Sequence, residues 1–358
     1  MTTALIPAST FLLTLLVTLA LIRVAPTLKL LDYPGGRKAH IGTTPVVGGL
    51  SITFVCIIAL FVLKTQSWIA MCVAISILLA IGTLDDIYDL PPTPKLLAQA
   101  SAVFVMFYVA NVKLLTVGNL LGTGAIGTWM LAPVITTFAV IGVINAINMA
   151  DGIDGHAGFI SLIGLLTYAY VAHESALPDQ FAVLLTLAGA VGAFLVFNAR
   201  SPWVKRAKTF LGDAGSMMLG FTLAYFAIDI SQGTGRSFPP ICALWVVVIP
   251  LCDCVSLMIR RKLAGGSMFA ADRNHLHHYL LSFRLSVGQA TMVSAVASLV
   301  CASIGVAAWK LKIPEPAIFA AFVVFFIVYH VHMTRVFGNM GQRDQKPDGE
   351  PNSESAPT

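Results

Sequence analysis

The chain alternates long apolar runs with short polar connections. Uncharged apolar runs of roughly 17–25 residues match the length of a helix that crosses a bilayer core. This pattern predicts eleven spans: residues 4–22, 46–63, 67–84, 96–112, 131–150, 157–172, 180–198, 214–228, 237–258, 285–309 and 316–334. The sixth and eighth are short, and the ninth carries Asp253 inside an otherwise apolar run. No segment alternates with period two, as the strands of a membrane barrel would. The first run has no basic residue before it and no small-residue cleavage site after it, so it reads as a retained helix rather than a signal peptide.

Composition agrees. Of 358 residues, 57% are hydrophobic and 11% charged, and the mean hydropathy is +0.83. A soluble domain is about a quarter charged, and one soluble core cannot absorb this much apolar surface. The predicted fold class is therefore all-α: a polytopic membrane protein with a single integral-membrane domain over residues 1–337. Residues 338–358, rich in Pro, Asp, Glu, Gln and Ser, read as a disordered cytoplasmic tail.

Seventeen of the 22 Lys and Arg fall in one set of connections. The basic side faces the cytoplasm, which puts the N-terminus outside and the C-terminus inside. The net charge of +5 thus reports topology and an anionic lipid or phosphate on the inner side, not nucleic acid. The six cysteines all lie in predicted spans and read as small packing residues.

The acids then become informative. Asp85, Asp86, Asp89, Asp151, Asp154, Asp213 and Asp272 all fall at or beside inner span ends, where charge must be solvated or used. Asp85-Asp86-Ile87-Tyr88-Asp89 has three carboxylates in five residues and no basic partner within the cluster. Adjacent carboxylates repel unless a cation neutralises them, and hard oxygens suit Mg²⁺. In Asn145-Ala146-Ile147-Asn148-Met149-Ala150-Asp151-Gly152-Ile153-Asp154-Gly155, polar residues recur every third position. Two amides and two carboxylates can grip a sugar or nucleobase, or hold a metal. In Phe210-Leu211-Gly212-Asp213-Ala214-Gly215-Ser216, Asp213 opens a helix, as an N-cap or beside bound phosphate. Asp272-Arg273-Asn274-His275-Leu276-His277-His278 lacks the Cys of a zinc site and suits phosphate binding or proton transfer. A weaker segment, Gly36-Arg37-Lys38-Ala39-His40, is a basic turn that could meet a pyrophosphate. His330 and His332 read as structural.

These four motifs, in this order, resemble those of the polyprenyl-phosphate N-acetylhexosamine-1-phosphate transferases of glycosyltransferase family 4. The likeness runs from Arg37 to His278. The span number and the His-Leu-His-His form are similar to the branch that makes undecaprenyl-diphospho-N-acetylglucosamine, the initiator of O-antigen and related glycans. One departure is His156, where an apolar residue is expected.

The resemblance implies a transferase of a bacterial inner membrane, multi-pass, with its active site facing the cytoplasm. Its substrates would be UDP-N-acetylglucosamine and undecaprenyl phosphate, its products the lipid diphosphosugar and UMP. Its cofactor would be Mg²⁺ or Mn²⁺, its other partner the lipid bilayer, with a homodimer open. Asp85, Asp86 and Asp151 would be catalytic, and Asp213 with Asp86 would meet the metal. Asn148, Asp154, Arg273, His275, His277, His278 and Lys38 would bind substrate. The same chemistry on another UDP-N-acetylhexosamine (QuiNAc, FucNAc or MurNAc-pentapeptide) is the alternative. A Mg²⁺-dependent membrane prenyltransferase would share the Asp-rich segments but leave the other motifs unexplained. A transporter would carry its ionisable groups near the midplane and show internal repeats.

Overall fold

The computed structural model describes residues 2–33, 42–201, 204–233, 238–265 and 275–343. The helices are α1 (Thr2–Val24), α2 (Gly48–Leu63), α3 (Trp68–Tyr88), α4 (Pro92–Phe104), α5 (Ala132–Ala150), α6 (His156–Glu174) and α7 (Pro178–Asn198). There follow α8 (Gly212–Asp229), α9 (Pro240–Val246), α10 (Val248–Leu263), α11 (Leu276–Ser282), α12 (Val287–Lys310) and α13 (Glu315–Arg343). The protein is an all-α polytopic membrane protein. Among the described residues, six helices are long and apolar enough to cross a membrane, or seven if α9 and α10 form one span. Each expected span overlaps helical residues, although the fourth passes from α4 into a π-helical turn at Val105–Val109 and the ninth is divided between α9 and α10. Local sequence sets several starts: prolines occupy the first turn of α4, α5, α7 and α9, where their fixed φ and missing N–H are tolerated. Ser286 and Gln289 cap α12 reciprocally.

The ninth expected span departs from a continuous helix. It breaks after Val246, and α9 and α10 meet at 83°. Pro250 accounts for the break. In an unbroken helix its ring would collide with the Val246 carbonyl and could not donate to it; in α10 it sits in the first turn. At the other end, α13 runs on to Arg343, into the stretch expected to be disordered; residues 344–358 lie outside the described residues.

α8 is the axis of the molecule. It is apolar all round, is buried almost throughout, as such helices are, and packs against α2, α3, α5 and α6. Glycines bring the backbones together: a Cβ on Gly82 of α3 would overlap Ala214, and one on Gly49 of α2 would overlap Gly215. α1 and α13 are peripheral, only 17% and 11% buried over their most apolar windows. A short antiparallel ladder pairs Leu31–Asp32 with Thr44–Pro45, and the Gly48 and Gly49 N–H groups donate to Phe210 and Leu211 carbonyls, tying this segment to the start of α8.

Candidate active site

The Gly82–Ala214 contact fixes the site, because Asp85 and Asp86 follow Gly82 by one turn and Asp213 precedes Ala214. It brings the C-terminal end of α3 against the N-terminal end of α8. Asp86 accepts the Asp213 N–H at 2.8 Å and the Ala214 N–H at 3.4 Å. Its carboxylate thereby caps α8 from another helix, at the positive end of the α8 dipole. Gly212, at φ +74°, makes the turn into α8, and a Cβ there would lie 2.6 Å from an Asp86 oxygen.

Asp85 is buried, 8% exposed. It accepts the Leu90 N–H at 2.7 Å and the Lys95 ammonium at 2.8 Å. Lys95 also reaches Asp213 Oδ2 at 3.3 Å. Asn148 donates to Asp213 Oδ1 at 3.0 Å and to Ser216 Oγ at 2.9 Å, so α5 joins the same point. The Gly212 backbone lies beside Asp151 and favours its charged form. Four carboxylates, Asp85, Asp86, Asp151 and Asp213, thus gather where α3, α4, α5 and α8 end, with Lys95 bonded between two of them. Burial, with the charges of Asp213 and Asp154, pushes the Asp151 carboxyl up to about 8. Burial would raise Asp213 too, but its contacts with Asp85, Lys95 and Asn148 hold it below the usual carboxylate range.

The every-third-residue stripe does not act as one edge. α5 stops at Ala150 and Asp151 turns out of the helix, so the four residues go to three places. Asn145 pairs with Gln99 at 3.0 Å, Asn148 and Asp151 enter the carboxylate cluster, and Asp154 pairs with Arg200 at 2.6 Å. Asp89 stays outside as well: α3 ends at Tyr88 and Asp89 takes a left-handed conformation at φ +51°.

The histidines form a second group. His275 stacks on His277, with centroids 5.4 Å apart and planes 7° apart, and His277 lies 4.3 Å from the His278 ring. The His277 Nε2 is seated on Gly152, where any Cβ would overlap it. This seats the His-rich segment on the loop that carries Asp151. Burial, with His156, His278 and His275 nearby, holds His277 down at about 2, so it meets any ligand as a neutral imidazole. His156 is buried behind the same loop and bonds the Ala150 carbonyl at 2.6 Å. Lys38 and Arg273 lie outside the described residues.

Two participants escaped the sequence reading. Lys95 counted only toward topology, yet it supplies the cation that the Asp cluster lacked; its place ten residues after Asp85, just past Pro92-Thr93-Pro94, is the signal. Arg200, likewise counted only for topology, holds Asp154.

The donor chemistry here is hard oxygen: Asp85, Asp86, Asp151, Asp213 and the Asn148 carbonyl, which suits Mg²⁺ or Mn²⁺. Among the described residues no three or more His, Cys, Asp or Glu side chains are grouped so as to hold a metal ion by themselves. Asp213 and Asp85 already share a cation, the Lys95 ammonium, whereas both Asp86 oxygens are engaged by backbone N–H groups.

Residues 68–231 match the family model described as Glycosyl transferase family 4. Over 331 residues the chain is 33% identical to the undecaprenyl-phosphate alpha-N-acetylglucosaminyl 1-phosphate transferase of Haemophilus influenzae, covering 92% of this chain and 93% of that one. The protein of the same name from Pasteurella multocida is also 33% identical, over 92% of each chain. That of Escherichia coli K12 is 32% identical over 90% of this chain and 88% of its own. The carboxylate cluster spans α3 to α8, inside the matched residues, and the chain belongs to glycosyl transferase family 4, among the undecaprenyl-phosphate alpha-N-acetylglucosaminyl 1-phosphate transferases.

Proposed function

We propose that the protein transfers N-acetylglucosamine 1-phosphate from UDP-N-acetylglucosamine to undecaprenyl phosphate at the cytoplasmic face of a bacterial inner membrane. The observation that carries this reading is the convergence of Asp85, Asp86, Lys95, Asn148, Asp151 and Asp213 at one end of the bundle, in a chain that aligns nearly end to end with transferases of that name. In this reading the eleven helical spans cross the membrane, the N-terminus is outside, and the carboxylate cluster lies at the inner surface. The basic connections support it, with Lys205, Arg206 and Lys208 exposed just before α8.

A phosphate oxygen of the lipid attacks the β-phosphorus of the nucleotide sugar, the bond to UMP breaks, and UMP leaves with the electron pair. Two anions must approach, so neutralising charge dominates the barrier. Lys95 contributes one positive charge and the α8 N-terminus a partial one. A divalent cation held by Asp213, with Asp85 or Asp86, would supply the rest as a Lewis acid; the Asp86 oxygens keep free lone pairs beside their two backbone N–H bonds. Asn148 and Asp86 keep the Asp213 carboxylate and backbone in place. Asp151 and Asp154 would orient the nucleotide sugar, the latter locked by Arg200. His275, His277 and His278, with Arg273 and Lys38, would line the phosphates. Lipid phosphate is already ionised at neutral pH, which favours direct displacement over an Asp151 phospho-enzyme.

The test is UMP release by the purified protein with undecaprenyl phosphate and Mg²⁺, across UDP-GlcNAc, UDP-QuiNAc, UDP-FucNAc and UDP-MurNAc-pentapeptide. UDP-GlcNAc should be the preferred donor. A preference for another donor would move the sugar assignment; no UMP from any of them would sink the reading. Labelled phosphate trapped on the protein without lipid would overturn direct displacement.

A further inference from the structure

Asp253 is the acid that neither the motifs nor the carboxylate cluster absorb. It sits in the second turn of α10, just past the Pro250 break, and is 6% exposed. A carboxylate inside an apolar helix of a membrane protein persists only when paired and hydrogen-bonded. Asp253 accepts three hydrogen bonds from two other elements. The His275 Nδ1 donates to Oδ2 at 3.0 Å, the Leu276 N–H to Oδ1 at 3.0 Å, and the Tyr329 hydroxyl of α13 to Oδ1 at 2.8 Å.

From this geometry we infer that Asp253, steadied by Tyr329, is a positioning residue that fixes His275 toward the reacting phosphates. A carboxylate with every bond to it donated can only accept, so the His275 hydrogen resides on Nδ1 and Nε2 is the ring atom left for the ligand. The Leu276 bond anchors the backbone beside His275, which leaves the ring little freedom to turn. The constraint travels further. The His275 ring lies nearly parallel to that of His277, and His277 is seated on Gly152, next to Asp151. Asp253 therefore sets the imidazole stack against the loop that carries a predicted catalytic carboxylate. The arrangement repeats a general device, a buried carboxylate that holds a functional imidazole in one tautomer. The direction of His275 toward phosphate rests on the proposed function; the Asp253–His275 bond does not.

Two readouts on the full-length protein in detergent test it. In ¹⁵N-histidine spectra, the His275 resonance, identified by its loss in His275→Ala, should show hydrogen on Nδ1 in the wild type and a mixture of tautomers in Asp253→Asn. In UMP release, Asp253→Asn should lower kcat by about 10-fold or more, as loss of an orienting partner does, with KM for both substrates little changed. Tyr329→Phe, which removes one hydroxyl and nothing else, should give a smaller loss in the same direction and stands in if Asp253→Asn does not fold. An unchanged His275 tautomer in the folded variant, or turnover equal to wild type, would overturn the assignment. Absence of UMP from the wild type would instead strike the proposed function, and the tautomer measurement would still decide the role of Asp253.

Discussion

Replacing Asp86 separates two kinds of active-site carboxylate, because this one supports a helix as well as the chemistry. Its oxygens hold the Asp213 and Ala214 N–H groups at 2.8 and 3.4 Å. Leaving a buried N–H without its partner costs about 1–3 kcal/mol, and the short contact to Asp213 is of that kind. The longer contact to Ala214 adds less. Asp86→Ala, which deletes both acceptors, should therefore destabilise the protein by about 1–3 kcal/mol. Asp86→Asn keeps one neutral acceptor but turns an amide N–H toward a backbone N–H, and should lose about half as much.

Turnover should fall further than stability. Asp213 takes its backbone position from the same bonds, and a displacement of about 1 Å at a reacting group can lower a rate 10²-fold. The assay pairs UMP release with thermal unfolding of the detergent-solubilised protein, followed by loss of the monodisperse peak. Expected for Asp86→Asn are an earlier unfolding transition and turnover at least about 100-fold down. Wild-type turnover, or a lost turnover with an unchanged unfolding curve, would show that Asp86 does not hold α8.

Asp213→Asn should abolish turnover and unfold somewhat earlier than wild type, since the carboxylate is held in its charged form by Lys95 and Asn148; wild-type turnover would contradict its place at the reacting phosphates. For Asp151, the folded-state carboxyl near 8 lies above its ordinary value of 3.8, so the folded protein binds more protons than the unfolded chain between those values and loses stability as pH rises through them. Thermal unfolding at pH 5 and pH 8 should accordingly show a shallower decline for Asp151→Asn than for wild type. Gly152→Ala should lower UMP release without preventing insertion, because its Cβ would displace His277; wild-type rates would mean that the imidazole stack does not bear on the reaction.

How much of this was legible in the sequence depends on the kind of interaction. Apolar runs follow from bilayer thickness and composition alone, so the expected spans overlap helices, the ninth divided between two. The motif carboxylates Asp85, Asp86, Asp151 and Asp213 gather at one end of the bundle, because charge in a membrane protein is confined to helix ends or to partners. Pairing was not legible. Lys95 reads as one more topogenic lysine until α3 and α4 are folded against each other. That Asp86 also caps the N-terminus of α8 is not legible until the small Gly82–Ala214 contact is formed. The stripe from Asn145 to Asp154 assumes a continuous helix, and the end of α5 at Ala150 divides it.

The break at Pro250 carries the same lesson one level up. A hydropathy window averages over it, since α9 and α10 are each apolar enough to pass as halves of one helix. The 83° bend is nonetheless what a charged residue inside an apolar run already hints at. Asp253 would be very costly in an unbroken span facing lipid, and becomes tolerable once α10 departs from the axis of α9 and packs against α13 and the His-rich segment. The two irregularities in the ninth run, a proline and an aspartate three residues apart, are thus one feature. The proline turns the chain, and the turned chain gives the aspartate its three donors.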